Sequence, residues 1–145
     1  LPLDTKRTDI ELSPDIPVQS EETPRSDRHH SILIAEDVYE NYFLLETLFG
    51  KQYQLYHALN GQEAIDMFET YHPDLILMDI KMPVMDGFEA TRRIRTLSKT
   101  IPIIALTAFA FEREKEIAKQ CEFTDYVVKP IDIKELKKLI VKVLA

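Results

Sequence analysis

From Ser31 onward, short unbroken apolar runs alternate with longer stretches whose apolar residues recur at helical spacing. Leu75-Ile76-Leu77-Met78 carries no polar interruption and ends on Asp79, as expected of a strand covered on both faces. Pro73-Asp74 marks its entry, and Pro83 with Asp86-Gly87 marks the loop beyond it. Ile32-Leu33-Ile34-Ala35 has the same character and ends at Glu36-Asp37. Pro102 opens another run, Ile103-Ile104-Ala105-Leu106, which ends at Thr107, and Tyr126-Val127-Val128 ends at Lys129-Pro130. Tyr53 to Ala58 is less apolar, as befits an edge strand.

Five helices are predicted between and after these runs. The first spans about Tyr39 to Phe49, with Leu44, Leu45, Leu48 and Phe49 at helical spacing and Gly50 as its stop. The second follows the Asn60-Gly61 turn and reaches about Tyr71, with Ala64, Ile65 and Phe68 on one face. In the third, Gly87, Ala90, Thr91, Ile94 and Leu97 form the apolar stripe, and Arg92, Arg93 and Arg95 the opposite face. A charged helix runs from about Glu112 to Gln120, and an amphipathic one begins near Asp132, with Ile133, Leu136, Ile140 and Val143 at heptad-like spacing. Strands alternating with helices in this way call for right-handed crossovers and a doubly wound parallel α/β sheet with helices on both faces. A flavodoxin-like strand order, 2-1-3-4-5, makes neighbours of the first and third strands, which are the most apolar and both end on acids.

Residues 1 to 29 break the pattern: prolines at 2, 14, 17 and 24 and scattered apolar positions predict a flexible linker or tail, leaving residues 30–145 as the domain. The whole chain of 145 residues has room for one normal core. Its net charge of −7 and lack of a basic stripe argue against nucleic acid as a partner. No apolar run is long enough to span a membrane, so no direct membrane contact is expected. The single cysteine, Cys121, excludes an internal disulfide and fits a reducing, cytoplasmic compartment; its place late in a helix suggests a small core residue. His29, His30, His57 and His72 share no metal-ligand spacing with it.

The strand ends carry the chemistry. If the sheet forms as predicted, Glu36, Asp37 and Asp79 converge with Thr107 and Lys129 at one edge. Three converging carboxylates repel unless neutralised, and an all-oxygen ligand set favours magnesium. A lysine ammonium can pair with the same cluster and then with a transferred anion. The Thr107 hydroxyl and nearby backbone amides can hold phosphoryl oxygens. Together these residues suit movement of a phosphoryl group onto Asp79.

Over roughly Ser31 to Ala145 the chain resembles the receiver domain of two-component response regulators. The resemblance rests on Glu36-Asp37, on Met78-Asp79-Ile80-Lys81-Met82-Pro83-Val84-Met85-Asp86-Gly87, on Ala105-Leu106-Thr107-Ala108 and on Tyr126-Val127-Val128-Lys129-Pro130. It implies that Asp79 accepts phosphate from a phosphohistidine of a histidine kinase or histidine phosphotransfer domain. It further implies that Glu36, Asp37, Asp79 and the Lys81 backbone carbonyl hold Mg2+, with Mn2+ as a substitute. Lys81, Thr107, Ala108 and Lys129 would contact the phosphoryl group, Thr107 and Tyr126 would form the switch, and Lys129-Pro130 would be cis. The readout would use the face of the fourth helix, fifth strand and fifth helix, which could also support a dimer. Self-phosphotransfer and autodephosphorylation are the activities implied. Two residues beyond Asp79 and Thr107 stand Lys81 and Phe109, which by the resemblance flank the line of water attack. A long cation and an aromatic ring there should slow hydrolysis.

Two positions depart from the pattern. Glu122 stands four residues before Tyr126, where the family often has Gly. Loss of Gly at a left-handed position costs roughly 1 kcal/mol, so a reshaped or frayed end of the fourth helix is expected. Phe109, Ala110 and Phe111 make a bulky apolar loop whose aromatics either cover core or face a partner. The chain begins at Leu1 in place of Met, and Leu1-Pro2-Leu3 resembles the last strand of the ATP-binding domain in hybrid sensor kinases. With no output domain after Ala145, the first reading is the C-terminal receiver of a hybrid histidine kinase, tethered to the membrane where that kinase is a membrane sensor. A stand-alone single-domain response regulator is the alternative. A haloacid dehalogenase-like aspartyl-phosphate phosphatase is disfavoured, because the position of its general acid is held by Lys81.

Overall fold

The computed structural model describes residues 30–108 and 112–145. The expected linker at 1–29 and the loop positions Phe109, Ala110 and Phe111 lie outside the described residues. In chain order the elements are β1 (Ser31–Ala35), α1 (Tyr39–Phe49), β2 (Gln54–Ala58), α2 (Gly61–Tyr71), β3 (Leu75–Asp79), α3 (Gly87–Leu97), β4 (Ile103–Thr107), α4 (Glu112–Gln120), β5 (Asp125–Val128) and α5 (Ile133–Leu144). All neighbouring strands pair in parallel, in the order β2-β1-β3-β4-β5. That is the predicted doubly wound, flavodoxin-like sheet.

The unbroken apolar runs are explained by burial on both faces. Ile32 and Ile34 of β1 pack with Leu45 and Phe49 of α1 and Leu136 and Ile140 of α5. Leu33 and Ala35 face the other way, against Ala64 and Phe68 of α2 and Ala90 and Ile94 of α3. β3 is buried at every position, Asp79 included. Three helices start on a short polar cap: the side chains of Asn60, Asp86 and Asp132 accept from the amides of Glu63, Glu89 and Glu135.

Several details differ from the sequence pattern. On α1 the buried residues are Tyr42, Leu45 and Phe49, whereas Leu44 is exposed; Leu97 at the end of α3 is exposed as well. Tyr53 precedes β2, and β5 begins one residue early at Asp125. Arg95 does not share the solvent with Arg92 and Arg93 but is only 6% exposed. Its guanidinium donates to the carbonyls of Glu122 at 2.9 Å, Ile101 at 2.7 Å and Ser98 at 3.3 Å. An arginine reads as polar in a hydrophobic pattern, yet its five donors can serve orphan carbonyls where several chain ends meet.

Those bonds bear on Glu122, which has a left-handed φ of 65°. α4 nevertheless closes in an orderly way: the amide of Phe123 donates to Ala118 and that of Glu122 to Lys119. This is the Schellman pattern. The frayed or reshaped end expected from the missing Gly is therefore not seen. Arg95, bonded to the Glu122 carbonyl, offsets the local strain.

Candidate functional site

The site lies where β1, β3, β4 and β5 end. Glu36 follows β1 and is buried at 1% exposure; its amide donates to the Ala58 carbonyl of β2 at 3.0 Å. Its carboxylate accepts from the Val38 amide at 3.2 Å and from Asn41 Nδ2 at 3.4 Å. Asp79 closes β3, also buried, and Asp37 stands exposed beside both. One carboxylate oxygen from each of Glu36, Asp37 and Asp79 lies within 4.8 Å of the others. Lys129, just after β5, reaches across with Nζ 3.4 Å from Glu36 Oε1 and 3.3 Å from Asp79 Oδ2.

Packing brings the acids this close. The backbone between β3 and α3 folds back so tightly that a Cβ on Gly87 would collide with the Asp79 carbonyl. The Gly87 amide donates to Ile80 at 2.8 Å, and the Ile80 amide to Leu106 at 3.1 Å. In the intervening loop the Met85 amide donates to Pro83 at 2.7 Å around Val84, whose φ is 69°. Positive φ at a β-branched residue is strained, and here it turns the loop sharply past Asp79.

Burial, and then the facing Glu36 carboxylate, push Asp79 from an ordinary 3.8 up to about 6; Lys129 opposes the rise without cancelling it. The three carboxylates outnumber the Lys129 ammonium that bridges two of them in a partly enclosed pocket. The donors are all oxygens, which fits a hard divalent cation and not a soft metal.

The remaining expected residues fall as follows. Thr107 is buried at the end of β4, and its carbonyl accepts from the Lys129 amide at 2.7 Å, which ties β4 to the lysine-bearing loop. Ala108 is exposed immediately beyond it, and Lys81 is exposed two residues after Asp79. Tyr126 points out of β5 at 38% exposure, with Lys115 Nζ 5.8 Å from its ring centre. A narrow void of about 10 Å³ is lined by Ile80, Phe88, Ala105, Thr107, Lys115, Ala118 and Tyr126. The Lys129–Pro130 bond is cis. Phe109 belongs to the segment outside the described residues. Three contributors went unnoticed in the sequence: Asn41, Gly87 as the close-approach residue, and His57. The ring of His57 bonds the Glu36 carbonyl at 2.8 Å. Nothing local in the sequence signals the last contact, because it joins two elements 21 positions apart.

A carboxylate at the end of the central strand, with an ammonium and two further acids around it, is the equipment of a phosphoacceptor module. The chain belongs to the response regulator receiver domain family, whose family model matches residues 32–141. It is a receiver domain of phosphorelay signalling. Sporulation initiation phosphotransferase F of Bacillus subtilis is 34% identical over 117 residues, covering 80% of this chain and 94% of that protein. Among solved structures, the receiver domain of sensor histidine kinase PA1611 from Pseudomonas aeruginosa PAO1, with a magnesium ion in its active-site cleft, is similar at TM-score 0.75 and 33% identity, covering 81% of this chain and 98% of that one. The receiver of Saccharomyces cerevisiae Ssk1, solved with the histidine phosphotransfer protein Ypd1, is similar at TM-score 0.74 and 31% identity, covering 79% and 88%. The chain spans from 25% to 94% of the length of the first curated relatives it matches.

Proposed function

We propose that Asp79 takes a phosphoryl group from a phosphohistidine, supplied by a histidine kinase or a histidine phosphotransfer domain. The carrying observation is that Lys129 bridges the Glu36 and Asp79 carboxylates inside a cluster of three acids. Glu36, Asp37, Asp79 and the Lys81 carbonyl would hold Mg2+, with Mn2+ able to replace it. The bound cation would neutralise the clustered carboxylates and polarise the phosphoryl oxygens. Asp79, largely ionised above about pH 6, attacks phosphorus through a carboxylate oxygen. The P–N bond breaks, its electron pair returns to the donor imidazole, and an acyl phosphate forms on Asp79. Lys129, already 3.3 Å from Asp79 Oδ2, pairs with the new phosphoryl oxygens, and the Ala108 amide and Thr107 hydroxyl add hydrogen bonds.

The Thr107 bond to a charged oxygen contributes roughly 1.5–3 kcal/mol, enough to shift a two-state equilibrium about tenfold or more. As Thr107 moves inward, Tyr126 turns from its exposed position towards the narrow void beside it. The readout face is α4, β5 and α5, which also serves as a dimer surface. The exposed Val38, Tyr39 and Phe43 follow the Glu36-Asp37 pair along the chain, and their apolar area supports docking of a histidine-bearing helical partner there. Likeness to the receiver of a sensor histidine kinase supports a histidine kinase as the parent chain, which we take to be of the hybrid type and to work in the cytoplasm.

Incubation with a small phosphodonor and Mg2+, followed by intact-mass measurement, tests the reading. A phosphoryl adduct is expected in the parent and absent from Asp79→Asn or in excess EDTA. An adduct that survives either change sinks it. Beryllofluoride should perturb NMR shifts across α4, β5 and α5, and shifts confined to the Asp79 loop would refute the switch.

A further inference from the structure

We propose that His57 is a positioning residue for the acidic pocket: held against Tyr42, its ring N–H fixes the peptide between Glu36 and Asp37 and so sets the aim of both carboxylates at a divalent cation. The inference rests on the reading that this pocket takes such a cation. His57 lies on β2, the edge strand, and none of its own atoms is a candidate ligand. Its Nε2 stands 2.8 Å from the Glu36 carbonyl oxygen. A carbonyl only accepts, so Nε2 carries the proton, and both the neutral Nε2–H tautomer and the imidazolium satisfy the bond. The ring lies flat on Tyr42 of α1, with centroids 3.7 Å apart and an angle of 1° between planes. Tyr42 is itself buried, so the imidazole is gripped on one face by a fixed side chain.

The main chain of Glu36 is thereby tied to β2 on both sides. Its amide donates to the Ala58 carbonyl, and its carbonyl accepts from His57. The carboxylate of Glu36 has further tethers in Val38, Asn41 and Lys129. That of Asp37 is exposed at the mouth of the group. The point from which this carboxylate leaves the chain is set by its backbone, and the peptide that sets this backbone is the one His57 holds. Outer groups that orient ligands are commonly worth 10–100-fold in metal affinity.

A histidine that merely satisfied an orphan carbonyl at a strand end would matter for stability and not for the cation, and a pair of variants separates the two roles. His57→Phe keeps a ring on Tyr42 and removes the donor; His57→Gln loses the stack and restores a donor at similar reach. Mg2+ titrations at pH 7.5 should show binding weakened about tenfold in His57→Phe and largely recovered in His57→Gln, with no parallel ordering of the melting temperatures in EDTA. Binding in His57→Phe within twofold of the parent overturns the proposal, as does equal weakening in both variants that tracks their stabilities. If the parent binds no Mg2+, the cation reading of the pocket fails, and amide exchange at Asp37 and Val38 in EDTA decides the clamp alone. Faster exchange in His57→Phe than in His57→Gln upholds it, and equal rates reject it.

Discussion

Replacement of Asp79 by Asn should stabilise the metal-free protein. In the folded chain Asp79 titrates near 6 and not at 3.8, first because it is buried and second because Glu36 faces it. Its charged form is thus less favourable in the folded than in the unfolded state. The sign follows: the penalty is absent below the unfolded value of 3.8, grows as pH rises through about 6, and is complete at neutral pH. Each unit of displacement corresponds to about 1.4 kcal/mol, and screening by solvent at the pocket mouth reduces the net to on the order of 2 kcal/mol. Asn keeps the shape, removes the repulsion with Glu36, and leaves Lys129 paired with Glu36 at 3.4 Å. At pH 7.5 in EDTA the variant should melt several degrees above the parent, at roughly 3–6 °C per kcal/mol for a domain of this size. The gap should close as pH falls towards 4, and saturating Mg2+ should narrow it by stabilising the parent, with its third acid, more than the variant. Thermal melts of both proteins at several pH values, with and without Mg2+, give the comparison. An Asp79→Asn protein no more stable than the parent at pH 7.5 in EDTA, or a gap independent of pH, would refute the reasoning.

Lys129→Met removes the cation shared by Glu36 and Asp79. The metal-free fold should lose about 1–2 kcal/mol in urea titrations, while Mg2+ should bind several-fold more tightly to the more negative pocket. Arg95→Met strands the carbonyls of Glu122, Ile101 and Ser98, and should cost on the order of 3 kcal/mol in the same titrations. Val84→Asn places a residue tolerant of positive φ at a φ of 69° and should raise stability by about 0.5–1 kcal/mol. If Lys81 and Phe109 flank the line of water attack on phosphorylated Asp79, as the resemblance to receivers implies, Lys81→Asn and Phe109→Glu should each shorten the life of the acyl phosphate. Decay no faster than in the parent, measured at fixed Mg2+, would show that water access does not limit hydrolysis.

What could be read from the sequence followed burial and strand ends. Runs such as Leu75 to Met78 have no polar face, so a central parallel position followed directly, and with it the meeting of Asp79, Glu36, Thr107 and Lys129. What escaped depends on contacts between distant elements. Arg95 counted as a surface cation because its neighbours Arg92 and Arg93 are, and only the meeting of α3, the 98–101 loop and the end of α4 turns it inward. Leu44 is the more apolar residue, yet Tyr42 takes the buried position, its ring stacked on His57 across the helix–sheet interface. Glu122 gave a correct warning of a left-handed residue and a wrong forecast of its consequence. The strain was legible locally; the arginine that offsets it was not.

The position of Lys129 suggests how chemistry at Asp79 becomes motion. Its Nζ is almost equally far from Glu36 and Asp79, at 3.4 and 3.3 Å, so neither partner holds it alone. Phosphorylation as proposed turns the Asp79 carboxylate into an uncharged acyl group and places up to two negative charges on oxygens farther out. The attraction from the Asp79 oxygens falls while a stronger one appears beyond them, so the ammonium is drawn outward from Glu36. Glu36 keeps its bonds to the Val38 amide and Asn41 and so is not left unsatisfied. The Lys129 amide remains bonded to the Thr107 carbonyl at 2.7 Å, so a shift in this loop reaches the end of β4 directly. On the proposed switch, Thr107 would lie on two paths at once, its hydroxyl drawn to the phosphoryl group and its backbone pulled through Lys129. Both act on the residue that lines the void beside Tyr126.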